Sequence, residues 1–316
     1  MNDEDVQKTF VFWPCAGDCA GSFVHLADAV LHGPGIRTTV FFKGCHLRCK
    51  WCHNPETLSA LPQIMFYHEK CSGCGKCVAT CPQNAHRFAG EEHVYDRTLC
   101  KQCGHCVAGC ARNALEVVGK TYTCDELLEL IEQDQPFYAS SGGGVTFSGG
   151  DCMCQIDFLQ NLLKGCKDRG IHTAVDTSGF FAWEQFEKIL PLTDVFLYDI
   201  KAFDRDLHIA CTGVPNDGIL RNAIQLDRCK ASMIIRIPVI PEHNDSLENA
   251  MQVAELISSL ETRPQVELLP YNKLGMPKYK ALDYDYGLSE QAAADTSRMQ
   301  QLEKIYQDKG CNLRHH

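Results

Sequence analysis

Hydrophobic segments alternate with amphipathic segments along most of the chain, above all after residue 119. Apolar runs rich in β-branched and aromatic residues predict strands at 37–42, 145–147, 173–175, 195–198, 233–240 and 266–269. Apolar residues at helical spacing predict helices at 123–131, 155–168, 183–190, 246–260 and 287–309. This order predicts an α/β protein of about six βα units around a parallel sheet, too few to close an eight-stranded barrel.

A cysteine-rich segment interrupts this pattern between residues 63 and 118. It contains the spacing C-x2-C-x2-C-x3-C twice, on Cys71, Cys74, Cys77 and Cys81 and again on Cys100, Cys103, Cys106 and Cys110. This spacing is typical of bacterial ferredoxins with two 4Fe–4S clusters, in which the fourth cysteine of each run ligates the other cluster. We therefore predict one cluster on Cys71, Cys74, Cys77 and Cys110, and a second on Cys100, Cys103, Cys106 and Cys81. A zinc ribbon would need only two C-x2-C pairs.

A third cysteine group, Cys45, Cys49 and Cys52, follows the first predicted strand with the spacing C-x3-C-x2-C. Three thiolates would leave one iron of a 4Fe–4S cluster without a protein ligand, and an open position marks a catalytic metal site. A zinc knuckle is the alternative, but it needs a fourth ligand at loop spacing. Trp51 would supply an apolar wall for a planar ligand. Cys15 and Cys19 form another C-x3-C pair, which we interpret as incidental thiols.

Polar residues follow several predicted strands, where the active sites of βα barrels are assembled. Gly149 and Gly150 would let the backbone approach a ligand, and Asp151 could pair with a ligand ammonium group. Asp199 and Lys201 lie on one face of their strand. Arg236 lies inside an apolar run, so it needs a carboxylate partner, supplied either by a ligand or by a structural Asp or Glu.

The pattern Cys-x3-Cys-x-Trp-Cys resembles the signature of the radical S-adenosylmethionine (SAM) enzymes. The flanking segments 33–38 (GPGIRT) and 52–56 (CHNPE) resemble one branch, the glycyl radical enzyme activating enzymes of the pyruvate formate-lyase activating enzyme type. The resemblance implies a partial (β/α)6 barrel, 1–62 and 119–316, into which the ferredoxin-like module, 63–118, is inserted. The residues that it implies for SAM binding are Trp51, His53, Gly149, Gly150, Asp151, Asp176, Ser178, Asp199, Lys201, Arg236 and Asn272. The chain departs from the family pattern at His32, Asp151 and Asn272, where the family usually has Asp, Glu and His.

The same resemblance implies a function. The enzyme would cleave SAM reductively to a 5′-deoxyadenosyl radical, which abstracts hydrogen from a glycine of a partner glycyl radical enzyme, a lyase, dehydratase or decarboxylase. The implied cofactors are three 4Fe–4S clusters and SAM, and the implied electron donor is a flavodoxin or ferredoxin. Two alternatives stay open: a radical SAM enzyme that acts directly on a small molecule, and a non-catalytic iron–sulfur electron carrier.

Charge and composition limit the classes of partner and the cellular compartment that we expect for this protein. The formal net charge of −10 gives no basic footprint, so we expect no nucleic-acid partner. The acidic N-terminus is unlike a secretion signal, and no apolar run reaches membrane-spanning length. We therefore expect a cytoplasmic protein with no membrane partner, in which the 20 cysteines serve metal ligation more than disulfides.

Overall fold

The computed structural model describes residues 10–11, 22–28, 33–288 and 290–314. Its centre is a parallel sheet of six strands, β1 (Arg37–Phe42), β2 (Gly144–Gly149), β3 (His172–Thr177), β4 (Val195–Asp199), β5 (Met233–Val239) and β6 (Gln265–Pro270). The six strands pair in chain order. Within the described residues, the outer edges of β1 and β6 pair with Ser22–Asp28 and Asn312–Leu313 and not with each other. The winding is that of a partial barrel, as predicted.

Helices connect and cover these strands. Their bounds are Cys124–Glu132, Gln135–Ser141, Ile156–Asp168, Trp183–Ile189, Arg205–Thr212, Asp217–Arg228, Leu247–Ser258, Met276–Leu282 and Thr296–Asp308. In Ile156–Asp168 the buried residues Leu159, Leu162, Leu163 and Cys166 repeat at helical spacing and enter the main core. Among the described helices, we find none with the length and apolar character needed to cross a bilayer.

Two predictions were wrong, one about where a helix begins and one about which strand comes first in the chain. The helix predicted to begin at residue 287 begins at Thr296, because the Asp295 carboxylate caps it by accepting a hydrogen bond from the Arg298 backbone N–H at 2.6 Å. Arg37–Phe42 is not the first strand, since Phe10–Val11 and Ser22–Asp28 precede it. Cys15, Cys19 and His32 lie outside the described residues.

The cysteine-rich segment folds as two antiparallel strand pairs and two short helices. Gln63–Phe66 pairs with Leu115–Val118 at its ends, and His86–Ala89 pairs with Glu92–Tyr95 in its middle. The helices, Lys76–Thr80 and His105–Ala108, each follow a glycine with positive φ, as expected for a duplicated cysteine run.

The helix that follows β6 joins this segment to the barrel. Ala281 and Leu282 pack against Met65 and Val118. The Arg97 guanidinium donates to Asp283 Oδ2 at 2.7 Å and to the main-chain oxygens of Ile64 and Ala281 at 2.5 and 2.7 Å. Helix Met276–Leu282 therefore contacts the segment directly and is also bound to it through Arg97.

The contact between the ends of β1 and β2 yields the first prediction. Gly149 has φ of 116°, and a Cβ there would lie 2.2 Å from the Phe42 backbone N and O. Gly170 has φ of 67° but faces open space, so Gly170→Ala isolates the cost of the backbone conformation, about 1–2 kcal/mol. We expect Gly149→Ala to lower the free energy of unfolding by about 1–3 kcal/mol more than Gly170→Ala, the usual cost of overpacking. Anaerobic urea unfolding followed by circular dichroism measures both, and equal losses would contradict the close packing.

Candidate active site

The loop after β1 carries Cys45, Cys49 and Cys52, and backbone hydrogen bonds hold it to the barrel. The Gly44 N–H donates to Thr57 O at 2.7 Å, which closes the base of the loop. The N–H groups of Arg48 and Lys50 donate to the oxygens of Thr212 and Cys211 at 2.7 and 3.0 Å. Both acceptors lie at the end of helix Arg205–Thr212, so this helix positions the middle of the loop.

The three thiols line one cavity of about 440 Å³. Burial raises the pKa of the Cys52 thiol to about 12 and also raises the pKa of Cys45 and Cys49. The neighbouring thiols raise the pKa of Cys45 and Cys52 further. No fourth cysteine is found among the described residues that line this cavity. This donor set fits a 4Fe–4S cluster with one iron free of protein ligands.

A buried chain of alternating charges, formed by Asp176, Arg236, Asp199 and Lys201, lines the same cavity. Arg236 Nη2 lies 2.6 Å from Asp176 Oδ1, and Arg236 Nε lies 3.1 Å from Asp199 Oδ1. Lys201 Nζ lies 2.8 Å from Asp199 Oδ2, and the Ser148 hydroxyl donates to Asp176 Oδ2 at 2.7 Å. The charges of the two carboxylates and the two cations therefore cancel. Of the two kinds of carboxylate partner expected for Arg236, the structure shows the protein's own, Asp176 and Asp199.

The charged neighbours keep both cations protonated despite burial. Burial alone would lower the pKa of Arg236, but Asp176 and Asp199 outweigh this effect and raise it. Burial likewise lowers the pKa of Lys201, while Asp199 and Cys49 raise it by more. The cavity thus offers fixed charges of both signs beside the thiols.

Asp151 is placed differently from the other residues predicted to contact SAM, because it is not among the residues that line the cavity. Its buried carboxylate accepts hydrogen bonds from four donors: Met153 N, Thr177 Oγ1, Ser178 N and Ser178 Oγ, at 2.7–3.2 Å. Burial raises its pKa to about 6. In this structure, Asp151 organises the turn after β3, which brings Thr177 and Ser178 to the cavity.

Gly149 and Gly150, predicted to let the backbone approach a ligand, line the cavity, and the cluster loop gives a further reason for glycine at residue 150. The Gly150 N–H donates to Phe42 O, and the Asp151 N–H donates to Gly44 O, both at 2.9 Å. A Cβ on Gly150 would lie 2.3 Å from Gly44 O. The bare backbone is therefore required by the cluster loop itself as well as by the cavity.

Aromatic and amide groups complete the wall. Trp51 is buried in a cluster with Tyr271 and Tyr279, and it also borders the cavity. The His53 imidazole Nε2 lies 3.1 Å from the main-chain oxygen of Asn272, and burial lowers the pKa of His53. Ten of the residues that line the cavity were not predicted from the sequence, among them Ser148, Thr177 and Tyr271, whose only signal was a position at or next to a strand end.

The cysteine-rich segment contains a second candidate metal centre. A cavity of about 200 Å³ there is lined by Cys71, Cys74, Cys77 and Cys110, the four cysteines predicted for one cluster. Cys106 is buried, which raises its pKa to about 12, and Cys100, Cys81 and Cys103 raise it as well. The first predicted group of four thiols thus lines one cavity, and four thiols match the ligand chemistry of a 4Fe–4S cluster.

Comparisons with known proteins agree with this class of site. Residues 100–254 match the radical SAM superfamily model, and residues 63–111 match the 4Fe-4S dicluster domain model. A crystal structure of a radical SAM methyltransferase from Sphaerobacter thermophilus is similar in fold, with a TM-score of 0.54. The similarity covers 98% of this chain and 76% of that chain at 13% identity, so it concerns the fold alone. The fold and site are those of a radical SAM protein, whose cofactors are a 4Fe–4S cluster and SAM.

Relatives with similar sequences show to which branch of the radical SAM superfamily this chain belongs. The trans-4-hydroxy-L-proline dehydratase activating enzyme of Clostridioides difficile is 40% identical over 92% of this chain and 97% of its own length. The choline trimethylamine-lyase activating enzyme of Oleidesulfovibrio alaskensis is 39% identical over 86% and 89%. The 4-hydroxyphenylacetate decarboxylase activating enzyme of C. difficile is 38% identical over 89% and 91%. The chain belongs to the radical SAM family of glycyl radical enzyme activating enzymes.

The buried chain of alternating charges predicts that replacing Arg236 lowers the free energy of unfolding by an unusually large amount. Arg236→Met would leave two buried carboxylates without their shared cation, which costs about 3–5 kcal/mol for a broken buried pair. Arg169→Met is the matched control, because Arg169 pairs with Glu132 at the surface, where such a pair contributes about 0–1 kcal/mol. Urea unfolding of both variants under anaerobic conditions makes the comparison. Similar losses in the two variants would show that the buried chain is not held by Arg236.

Proposed function

We propose that SAM binds in the 440 Å³ cavity, at a 4Fe–4S cluster held by Cys45, Cys49 and Cys52. The observation that carries this proposal is the meeting of three buried thiols with the charge chain of Asp176, Arg236, Asp199 and Lys201 in one cavity. When bound, the reduced cluster would supply the electron that cleaves the sulfonium C–S bond of SAM, so that a 5′-deoxyadenosyl radical takes a hydrogen atom from a glycine Cα of the partner.

The charge chain matches the methionine part of SAM, which carries an ammonium and a carboxylate. Lys201 and Arg236 would receive the carboxylate, while Asp176 and Asp199 would face the N–H groups of the amino group. An amino group bound to iron would have lost its extra proton, so the carboxylate and the sulfonium balance and SAM adds no net charge beside these four neutralised side chains. Gly149, Gly150 and Ser178 would approach the ligand from the ends of β2 and β3.

The aromatic side of the cavity would hold the nucleoside. Trp51 and Tyr271 offer apolar faces, and His53 and Asn272 lie together on the same wall.

Asp151, one methylene shorter than the usual glutamate, would act on the ligand through the Thr177–Ser178 turn that it holds. In this proposal the protein orients SAM and excludes water, and no side chain acts as a general acid or base.

We propose three 4Fe–4S clusters in all, with residues 63–118 as an accessory module and residues 1–62 and 119–316 as the catalytic core. The cavity lined by Cys71, Cys74, Cys77 and Cys110 supports one module cluster. The repeated cysteine spacing at Cys100, Cys103 and Cys106, together with Cys81, supports the other. An external flavodoxin or ferredoxin would deliver electrons to this module, in the reducing cytoplasm where so many thiols stay reduced.

The proposed partner is a glycyl radical lyase, dehydratase or decarboxylase. Relatives of this chain include activating enzymes for partners of all three kinds, at 38–41% identity. Their similarity to this chain is nearly uniform, which supports a shared reaction on a glycine residue more than a shared substrate of the partner.

Removing one ligand of the proposed catalytic cluster should change iron content and activity together. After anaerobic reconstitution, three clusters correspond to about 12 iron atoms per chain, and we expect about 8 in Cys52→Ser. We also expect Cys52→Ser to form no 5′-deoxyadenosine on reduction with SAM. Cys229→Ser is the control, because Cys229 is exposed and belongs to none of the three groups. Full iron content in Cys52→Ser would contradict the ligand assignment.

The activation reaction itself can be followed on the partner. With a glycyl radical enzyme, SAM and reductant, we expect 5′-deoxyadenosine together with a doublet electron paramagnetic resonance (EPR) signal on the partner. A partner in which the radical-bearing glycine is replaced by alanine should give no doublet. Nucleoside formation without a doublet on any enzyme of the three partner classes would favour a small-molecule substrate. Intact clusters without nucleoside would favour an electron carrier.

A further inference from the structure

His93 forms part of the wall of the module cavity lined by Cys71, Cys74, Cys77 and Cys110. Its imidazole is buried, with 6% of the residue exposed. Nδ1 lies 3.5 Å from Cys71 Sγ, and Nε2 lies 3.5 Å from Cys77 Sγ. Two thiols proposed above as ligands of one cluster thus contact the same imidazole.

A second buried histidine orients this imidazole. His86 Nδ1 lies 3.0 Å from His93 Nε2, and His86 is only 2% exposed. The ring of Phe66 packs on His93 with a centroid distance of 4.5 Å. His86 in turn stacks on Tyr95 at 4.6 Å, and Tyr95 packs against the same buried cluster as Cys100, a proposed ligand of the other cluster. A continuous chain of side chains therefore links the two groups of thiols.

Proton placement follows from the contacts. A neutral imidazole has one N–H, and a metal-bound thiolate can only accept. If His86 Nδ1–H donates to His93 Nε2, the proton of His93 lies on Nδ1 and points at Cys71 Sγ. In the opposite arrangement the proton of His93 lies on Nε2, 3.5 Å from Cys77 Sγ, so an N–H of His93 faces a ligand sulfur in both tautomers. The pair thus favours a hydrogen bond from His93 to a cluster sulfur.

We propose that His93, oriented by His86, donates a hydrogen bond to a ligand sulfur of the Cys71, Cys74, Cys77 and Cys110 cluster and raises its reduction potential above that of the other module cluster. The inference rests on the ligand sets proposed above. A hydrogen bond to a cluster sulfur stabilises the more negative, reduced state, and such bonds are known to set cluster potentials. His93 lies between the two cysteine runs and has no duplicate in either of them, so it distinguishes two clusters of the same ligand spacing. An incoming electron would then reside on the Cys71 cluster.

The test is an EPR-monitored redox titration of the reconstituted full-length protein. His93→Phe keeps an aromatic ring beside Phe66 but has no N–H, whereas His93→Gln keeps a donor. In His93→Phe we expect the reduced-to-oxidised ratio of one module cluster to fall about tenfold at a given potential, equivalent to about 59 mV for one electron. His93→Gln should restore most of the ratio. His105→Leu removes an exposed histidine beside Cys106 and should leave both module potentials unchanged.

Two outcomes would contradict the proposal. An unchanged ratio in His93→Phe would overturn it, and loss of iron from both His93 variants would make His93 an iron ligand instead. If His93→Phe does not fold, His86→Phe decides, since loss of the orienting bond should move the same ratio in the same direction by a smaller factor. Cys71→Ser tests the ligand assignment separately from the hydrogen bond of His93. Unchanged iron content in Cys71→Ser would mean that the proposed ligand set, and not the role of His93, has failed.

Discussion

The pairing of buried charges across β3, β4 and β5 is the constraint on which the active site depends. Asp176, Asp199 and Arg236 lie on three neighbouring parallel strands, and Arg236 bonds both carboxylates. None of these charges could stay ionised in the interior alone, because desolvation would exceed any single hydrogen bond. Pairing them in a neutral chain keeps the cavity polar without an excess of either sign. A ligand with one positive and one negative group is the natural complement to such a wall.

The cluster loop depends on groups from distant parts of the chain. Gly44 and Gly150 fix its start against β2, and helix Arg205–Thr212 accepts hydrogen bonds from its middle. Its end is held by Lys278, whose Nζ lies 2.8 Å from Asn54 Oδ1 and 2.6 Å from Glu56 Oε1. Lys278 belongs to helix Met276–Leu282, which also packs against the cysteine-rich segment. One helix therefore contacts both the catalytic loop and the region from which electrons would come.

Local spacing and strand ends account for the features that the sequence analysis predicted. Cys45, Cys49 and Cys52 share one short loop, so their meeting needs no tertiary information, and parallel strands bring Asp176 and Asp199 to one edge. Asp151 differs because its four hydrogen-bond donors lie at the end of β3, on Thr177 and Ser178, and on Met153, a placement that residue type alone does not reveal. The start of the last helix was missed because a single side chain, Asp295, sets it. The His86–His93 pair arises from a strand pairing that the cysteine spacing does not contain.

The central claim is that SAM binds through its amino acid part to an iron that has no protein ligand, beside the charge chain. Electron–nuclear double resonance on the reduced protein tests it directly, with SAM carrying ¹⁵N in the amino group and ¹⁷O in the carboxylate. The account predicts hyperfine coupling of both labels to the catalytic cluster. Bound SAM beside an intact, reduced cluster with neither label coupled would contradict it.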